Sequence, residues 1–324
     1  MMRALVCSSL DGLDGVAVGE LPEPELRPGC VRIAARAAGV NFPDLLIIKG
    51  MYQEQPDLPF APGAEVSGEV LEVADDVDGI EVGDSVYASV PHGGYAEQAV
   101  VDAGQVFAVP DDMSFEVATT LPIAYGTAYH ALVDRGELGD TDTALILGAA
   151  GGTGLAATQI ASALGARVIA AVSSQDKADA VRAAGADEVI RYDREDLRER
   201  MRDLAPDGAD VVFDPVGGDV TETALRSTAW GGRLLVIGFA SGDIPSLPAN
   251  LMLLKGCAVV GVFWGRFART EPARSRRNFD TLAAWWRDGR IAPVVSQTFD
   301  LDHATDALRL IGGRGALGKL VVTP

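Results

Sequence analysis

The run Leu145-Ile146-Leu147-Gly148-Ala149-Ala150-Gly151-Gly152-Thr153-Gly154 constrains this chain more than any other segment. A short apolar stretch that ends in clustered glycines and passes into Ala-rich sequence has the grammar of a buried strand, a tight turn and a helix. Glycines let such a turn close and bring backbone N–H groups up to a pyrophosphate at the helix N-terminus, while small residues let the helix lie close on the sheet. A second apolar run from Arg167 to Val172 follows, so strand, helix and strand stand in the order that a dinucleotide fold requires. Gly151, Gly152 and Thr153 are therefore candidate cofactor-binding residues. Leu155 follows Gly154 where a P-loop needs Lys, which excludes a phosphate cradle of that kind.

The same grammar continues. From Thr143 the sequence predicts strand 144–147, helix 153–164, strand 167–172, helix 175–184, a short strand 188–190, helix 196–204, and strands 210–213, 234–237 and 258–262. Alternation of this kind specifies an α/β fold, a doubly wound parallel sheet with helices on both faces. From Arg3 to about Leu121 the pattern differs: short apolar runs at 4–7, 16–18, 31–35, 66–73, 85–88 and 96–101 are separated by Pro-rich and Gly-rich turns, as expected for a mostly β domain. The last stretch carries a Trp-bearing helix at about 278–288, a strand 294–299, a helix 301–310 and a final strand 319–322, and is expected to pack back on the first domain.

The 324 residues set a prior of about two domains. Lys and Arg number 27 against 46 Asp and Glu, and the formal charge of −19 opposes a polyanionic partner, so no nucleic acid is expected. Cys7, Cys30 and Cys257 form no C-x-x-C pair and no even-numbered framework; reduced thiols in a cytoplasmic protein are expected. Met1 to Cys7 reads as a first strand and not as a secretory segment. The uncharged stretch from Thr143 to Ala166 has the length of a membrane span but is built from small and polar residues, and no membrane association is expected.

The end of the second predicted strand bears on cofactor choice. An acidic residue there would hold the adenine ribose of NAD, but Val172 is followed by Ser173 and Ser174, with Lys177 close behind. Those residues suit a 2′-phosphate and favour NADPH. The competing reading is that the serines cap the helix from Gln175 and that Lys177 is a solvated face residue.

Reversible alcohol oxidation needs a metal or a Tyr-Lys pair to handle the hydroxyl proton. His92, His130 and His303 are scattered, none pairs with a cysteine at zinc-ligand spacing, and none of the six tyrosines has Lys four residues on. No metal is expected. The substrate must then arrive already electrophilic, as a quinone or a double bond conjugated to a carbonyl.

These residues resemble the zinc-free quinone oxidoreductases of the medium-chain dehydrogenase/reductase superfamily. The resemblance covers essentially the whole chain: Ala38-Gly39-Val40-Asn41-Phe42-Pro43-Asp44, Ala61-Pro62-Gly63-Ala64-Glu65-Val66-Ser67-Gly68, Ala149-Ala150-Gly151-Gly152-Thr153-Gly154, Phe213-Asp214-Pro215-Val216-Gly217-Gly218 and Val236-Ile237-Gly238-Phe239-Ala240-Ser241-Gly242. Zinc-containing relatives carry Cys where Asn41 stands and His where Ala64 stands. The resemblance implies a GroES-like, mostly β catalytic domain from residues 1–122 and 266–324, and a Rossmann domain from residues 123–265, with NADPH in the cleft between them. Asn41 matches a residue beside the nicotinamide, where its amide would bond the cofactor or orient a substrate oxygen. Thr127 matches a nicotinamide-side contact. Lys177, Tyr192 and Arg314 match the 2′-phosphate group; backbone at Phe239 and from Phe263 to Gly265 matches the carboxamide-holding segments, with Trp264 as a pocket wall. Asp44 is expected to be a structural acceptor. Leu46 stands where some members carry a tyrosine near the substrate, and Tyr52 is a speculative replacement. Pairing of two exposed Rossmann edges would give a homodimer.

The activity expected is zinc-independent, NADPH-dependent hydride transfer to a quinone or related conjugated carbonyl. Reduction of an enal, enone or enoyl thioester is the near alternative, and a non-catalytic NADPH-binding or sensing protein is the alternative from another class.

Overall fold

Among the described residues, 1–53 and 55–324, the computed structural model forms fifteen strands in three sheets. The first seven are β1 (Met2–Cys7), β2 (Val16–Leu21), β3 (Cys30–Val40), β4 (Glu65–Val73), β5 (Ser85–Ser89), β6 (Gln98–Asp102) and β7 (Val106–Ala108). The middle of the chain supplies β8 (Thr143–Ile146), β9 (Arg167–Val172), β10 (Glu188–Arg191), β11 (Ala209–Asp214), β12 (Thr228–Val236) and β13 (Ala258–Gly261). The last two are β14 (Val295–Asp300) and β15 (Lys319–Thr323).

Two compact units result, one from residues 1–123 with 293–324 and the other from 124–292. In the first unit β1 and β2 form an antiparallel pair, and a seven-stranded sheet runs β14-β15-β3-β4-β5-β7 with β6 on β3. β3 is its hub because it is eleven residues long and pairs with three strands, β15, β4 and β6, all antiparallel. Its apolar residues Val31, Ile33 and Ala35 pack with Val66, Val70, Val86 and Val101 in one buried cluster. A second cluster gathers Leu5, Ile48 and Tyr95 with Leu301, Leu308 and Leu320, so the C-terminal segment completes the core of the N-terminal one.

The second unit is a six-stranded, wholly parallel sheet in the order β10-β9-β8-β11-β12-β13. Its central strands are near-continuous apolar runs, as burial on both faces demands: Ala144, Leu145, Ile146, Val211, Val212 and Phe213 have no accessible surface. The chain leaves β8 toward β9 and later returns to the other side of β8 with β11, so the order reverses between β8 and β11. Ligands of open α/β sheets bind at such a switch point, beyond the carboxyl ends of the strands.

The expected domain boundary needs correction. Residues 266–292, expected in the first domain, lie in the second unit. The helix Pro272–Arg287 begins six residues before the expected start, at a proline suited to a first helical turn. Its Asn278 Nδ2 donates to Asp134 Oδ2 at 2.8 Å, Arg274 pairs with Asp134 Oδ1 at 2.8 Å, and Phe279 meets the Trp264 ring edge-on at 6.3 Å. Arg274 and Asn278 satisfy the buried carboxylate Asp134, which lies in a π-helical turn, His130–Arg135, that apolar periodicity does not signal. Only 293–324 returns to the first unit.

Gln159 anchors the end of this segment. Its Oε1 accepts from the Tyr125 hydroxyl at 2.7 Å and from Ala292 N–H at 2.9 Å, and its Nε2 donates to Ala292 O at 2.8 Å. Gln159→Leu fills the same space but leaves the buried Tyr125 hydroxyl and the partly buried N–H and C=O of Ala292 without their partners. Thermal or denaturant unfolding should show a loss on the order of 2–4 kcal/mol, with secondary structure unchanged by circular dichroism.

Candidate functional site

Two polar groupings stand out, one in each unit. In the first unit, register places three strands side by side so that Glu65 opens β4, Lys319 opens β15, and Gly39 and Asn41 lie on and just after β3 between them. The Glu65 side chain crosses Gly39, where a Cβ would come within 2.1 Å of its Oε1. Any residue other than glycine there would expel the carboxylate. Lys319 reaches the same carboxylate from the other side in an ion pair that is almost wholly buried.

The Lys319 ammonium also donates to Asn41 Oδ1 at 2.6 Å and to Val40 O at 3.0 Å, so its three N–H groups have three oxygen acceptors. Asn41 Nδ2 donates to Glu65 Oε1 at 2.8 Å and to Gly39 O at 3.3 Å. Glu65 Oε2 accepts from Ile123 N–H at 2.9 Å. Such pairing is the condition under which charges are tolerated in a core.

Asn41 also begins the helix Phe42–Ile47, and Pro43 suits the first turn. Asp44 reaches back to this helix start: its Oδ2 accepts from Asn41 N–H at 2.7 Å and from the Tyr95 hydroxyl at 2.6 Å. Asp44 is therefore a structural acceptor. Burial pushes its carboxyl up to about 6, against the opposing pull of Tyr95, the Asn41 N–H and Lys319. Burial likewise holds the Tyr95 hydroxyl protonated, helped by the Asp44 charge beside it. Tyr52 is half-buried against the apolar cluster of this unit, and Arg314 sits in its own loop with φ +57°.

In the second unit the glycine run makes the predicted turn from β8 into the helix Gly152–Leu164. Gly148 has φ +56°, and a Cβ on Gly154 would lie 2.3 Å from Gly148 O, so only glycine lets the helix start this close to the strand. Gly151 is the N-cap; no side chain caps this helix and no acidic residue stands in its first turn. Gly151, Gly152 and Thr153 are half-exposed, while every residue from Gly154 to Ala161 is buried. An uncapped, charge-free N-terminus with backbone open to approach fits a pyrophosphate.

The end of β9 settles the two readings of its serines differently. Ser174 is a cap, its Oγ accepting from Lys177 N–H at 3.4 Å. Ser173 is not: its Oγ accepts from Lys177 Nζ at 3.3 Å, which brings a hydroxyl and an ammonium together just past the strand. Tyr192 N–H donates to Val172 O at 3.1 Å, which brings the backbone of this half-exposed residue to the same strand end. Asp214, the last residue of β11, is turned inward, accepting from Val216 N–H, Gly217 N–H and the Thr221 hydroxyl.

Thr127 is half-buried in the short helix Gly126–Tyr129, and Phe239 and Gly265 are half-buried. Phe263 is half exposed. Trp264 is buried, its ring packed on Gly126 and edge-on to Phe279. Four participants escaped sequence reasoning. Glu65, Tyr95 and Lys319 are ordinary polar residues until strand pairing sets them around Asn41. Arg191, at the end of β10 and held by Asp193 and Gln175, adjoins the Val172 end of β9. The adjacency of consecutive parallel strands was the available signal for it. Among the described residues no three His, Cys, Asp or Glu side chains gather as a metal-ligating group, and no helix is long and apolar enough to cross a membrane.

Comparison with known proteins bears on this architecture. The family model described as alcohol dehydrogenase GroES-like domain matches residues 27–111, and that described as zinc-binding dehydrogenase matches 152–279. The quinone oxidoreductase-like protein 2 homolog of Nematostella vectensis is 38% identical over 324 residues, 99% of this chain and 88% of the relative. The quinone oxidoreductase-like protein 2 of Bos taurus is 37% identical over 323 residues, 99% and 92% of the two chains. Among solved structures, a mycobacterial protein complexed with NADPH superposes with TM-score 0.94 at 32% identity, covering 100% of each chain. Escherichia coli quinone oxidoreductase complexed with NADPH superposes at 0.92 with 27% identity, covering 99% and 100%.

The buried carboxyl of Asp44 gives a signed pH dependence. Its pKa is about 6 in the fold against 3.8 ordinarily, so the native state retains a proton that the unfolded chain has released between those values. Its contribution to stability therefore declines as pH rises from about 4 to about 6, by on the order of 3 kcal/mol. Asp44→Asn keeps an oxygen for Tyr95 and Asn41 but no titration. Unfolding free energies from pH 4 to 7 should fall more steeply, or rise less, with pH in the parent than in the variant, the difference between the two curves being the Asp44 contribution.

Proposed function

The chain belongs to the zinc-free quinone oxidoreductase-type group of the medium-chain dehydrogenase/reductase family, and we propose that it is an NADPH-dependent oxidoreductase delivering hydride to a quinone or related conjugated carbonyl. One observation carries this reading: the uncapped, glycine-walled helix start beyond β8, with the Ser173–Lys177 pair at the end of the neighbouring β9. The first suits a pyrophosphate and the second a 2′-phosphate. The mycobacterial and Escherichia coli structures, both holding NADPH, support the same cofactor.

In this reading backbone N–H groups at Gly152 and Thr153 hold the pyrophosphate, and Ser173, Lys177, Tyr192 and Arg314 serve the phosphate on the ribose. Phe239 and the Phe263–Gly265 backbone hold the carboxamide, and Thr127 and Asn41 serve the nicotinamide end. When bound, NADPH supplies the hydride. The protein contributes orientation, which is a large effect in itself. No acid or base side chain is required, because a conjugated acceptor is electrophilic already and its proton returns from solvent.

The test is loss of absorbance at 340 nm with NADPH and, separately, NADH, against a benzoquinone, a naphthoquinone, an enal and an enoyl thioester. Fast NADPH consumption with quinones is expected, and Lys177→Ala should raise the KM for NADPH about tenfold while leaving that for NADH unchanged. Preference for the enal or thioester would move the activity to alkene reduction. Binding of NADPH without turnover on any acceptor would replace the enzyme by a binding protein.

The proposal extends to a homodimer. β13 is an edge strand of the parallel sheet, and Trp230, Leu253, Leu254 and Phe263 in and near β12 and β13 are at least half exposed or close to it, an apolar surface that pairing of two edges would cover. Light scattering should give a dimer mass; a monomer would remove this part.

A further inference from the structure

The buried charges of the first unit do more than satisfy one another. An asparagine amide is ambiguous by itself, since its oxygen accepts and its nitrogen donates at nearly the same positions. Here its two neighbours are not ambiguous. Lys319 can only donate and the Glu65 carboxylate can only accept, so the pair fixes which end of the Asn41 amide faces which way. Both hydrogens of Nδ2 are committed, to Glu65 Oε1 and to Gly39 O, and one lone pair of Oδ1 is taken by Lys319. A single lone pair on Oδ1 remains.

We infer that Lys319 and Glu65 are positioning residues that lock Asn41 as a one-way hydrogen-bond acceptor, so that Asn41 recognises a hydroxyl or N–H donor and cannot polarise the carbonyl oxygen of the electron acceptor. The inference rests on the proposed role of Asn41 in hydride transfer and narrows it to one of the two amide functions. Three features of the fold serve this lock. The side chains are nearly inaccessible, at 7% for Asn41, 4% for Lys319 and 0% for Glu65. Register brings them from three adjacent strands to one place, so none depends on a flexible loop. The missing side chain at Gly39 is what admits the Glu65 carboxylate.

Charge bookkeeping decides which variants are informative. Lys319→Met alone would strand the Glu65 carboxylate in the core, a change that can prevent folding. Lys319→Met combined with Glu65→Gln removes both charges and leaves an amide beside Asn41, which frees Asn41 to turn over. The experiment compares the parent, Asn41→Ala, the Lys319→Met/Glu65→Gln pair and the triple variant in kcat and KM with NADPH and a benzoquinone, at a pH where each is folded by circular dichroism.

Asn41→Ala is expected to lower kcat/KM about tenfold, the charge-free pair to lower it by a similar factor, and the triple variant to lose no more than Asn41→Ala does. That failure to multiply shows that the pair acts through Asn41, and a loss of kcat/KM in variants whose thermal unfolding is unchanged separates positioning from a merely structural role. A folded pair with parent kcat/KM, or losses that multiply in the triple variant, overturns the inference while leaving the proposed function standing. A parent enzyme that turns over no acceptor overturns both.

Where the charge-free pair does not fold, the parent protein answers by itself. The chain has three asparagines, Asn41, Asn250 and Asn278, so selective 15N-asparagine labelling yields three side-chain amide pairs, and Asn41→Ala assigns one. Both Asn41 amide protons should exchange with solvent at least tenfold more slowly than those of Asn250, which stands on an exposed helix start. Exchange as fast as that of Asn250 would overturn the lock.

Discussion

Everything in the first unit answers to one requirement: a lysine and a glutamate have been taken out of water together, and each must be fully partnered. Neither could be buried alone, because the cost of desolvating a single charge exceeds what packing returns. The solution is spatial. Antiparallel pairing of β15 with β3 and of β3 with β4 lays the two side chains across a glycine and beside an asparagine, and the asparagine in turn caps a helix whose Asp44 holds the Tyr95 hydroxyl. Helix start, sheet register and core polarity are therefore one arrangement and not three.

The second unit solves the opposite problem. Its turn after β8 must leave backbone N–H groups without protein partners, at a helix start that a capping side chain would ordinarily cover. Glycine does this by subtraction. At Gly154 the absence of a Cβ lets the helix approach the Gly148 carbonyl, and at Gly151 the cap position offers no side chain to compete with a ligand. One unit thus achieves order by completing every polar contact, and the other keeps a few incomplete.

Much of this was legible in the residues. The strand, glycine turn, helix and strand at 145–172 were readable because they are local: periodicity, small residues and turn chemistry all act within a few positions. The parallel sheet followed from alternation. What local patterns could not show is contact between distant segments. Asn41 is marked by its motif, but Lys319 meets it only through pairing across nearly the whole chain. The boundary at 266–292 failed for the same reason, since Asp134 draws Arg274 and Asn278 toward the second unit.

The order in which these parts leave the ribosome matters too. The second unit is one uninterrupted stretch, residues 124–292, and can complete its sheet as soon as it is made. The first unit cannot. Its glutamate is synthesised early and its lysine very late, and at ~5–20 residues per second the interval between Glu65 and Lys319 is on the order of 10–50 s. For that time β3 and β4 hold a carboxylate with no cation and a sheet with no β15. While residues 293–324 are being made, a second unit able to fold coexists with a first unit that still lacks β15, so the pairing of β15 with β3 that brings Lys319 to Glu65 is the last contact the sheet can make.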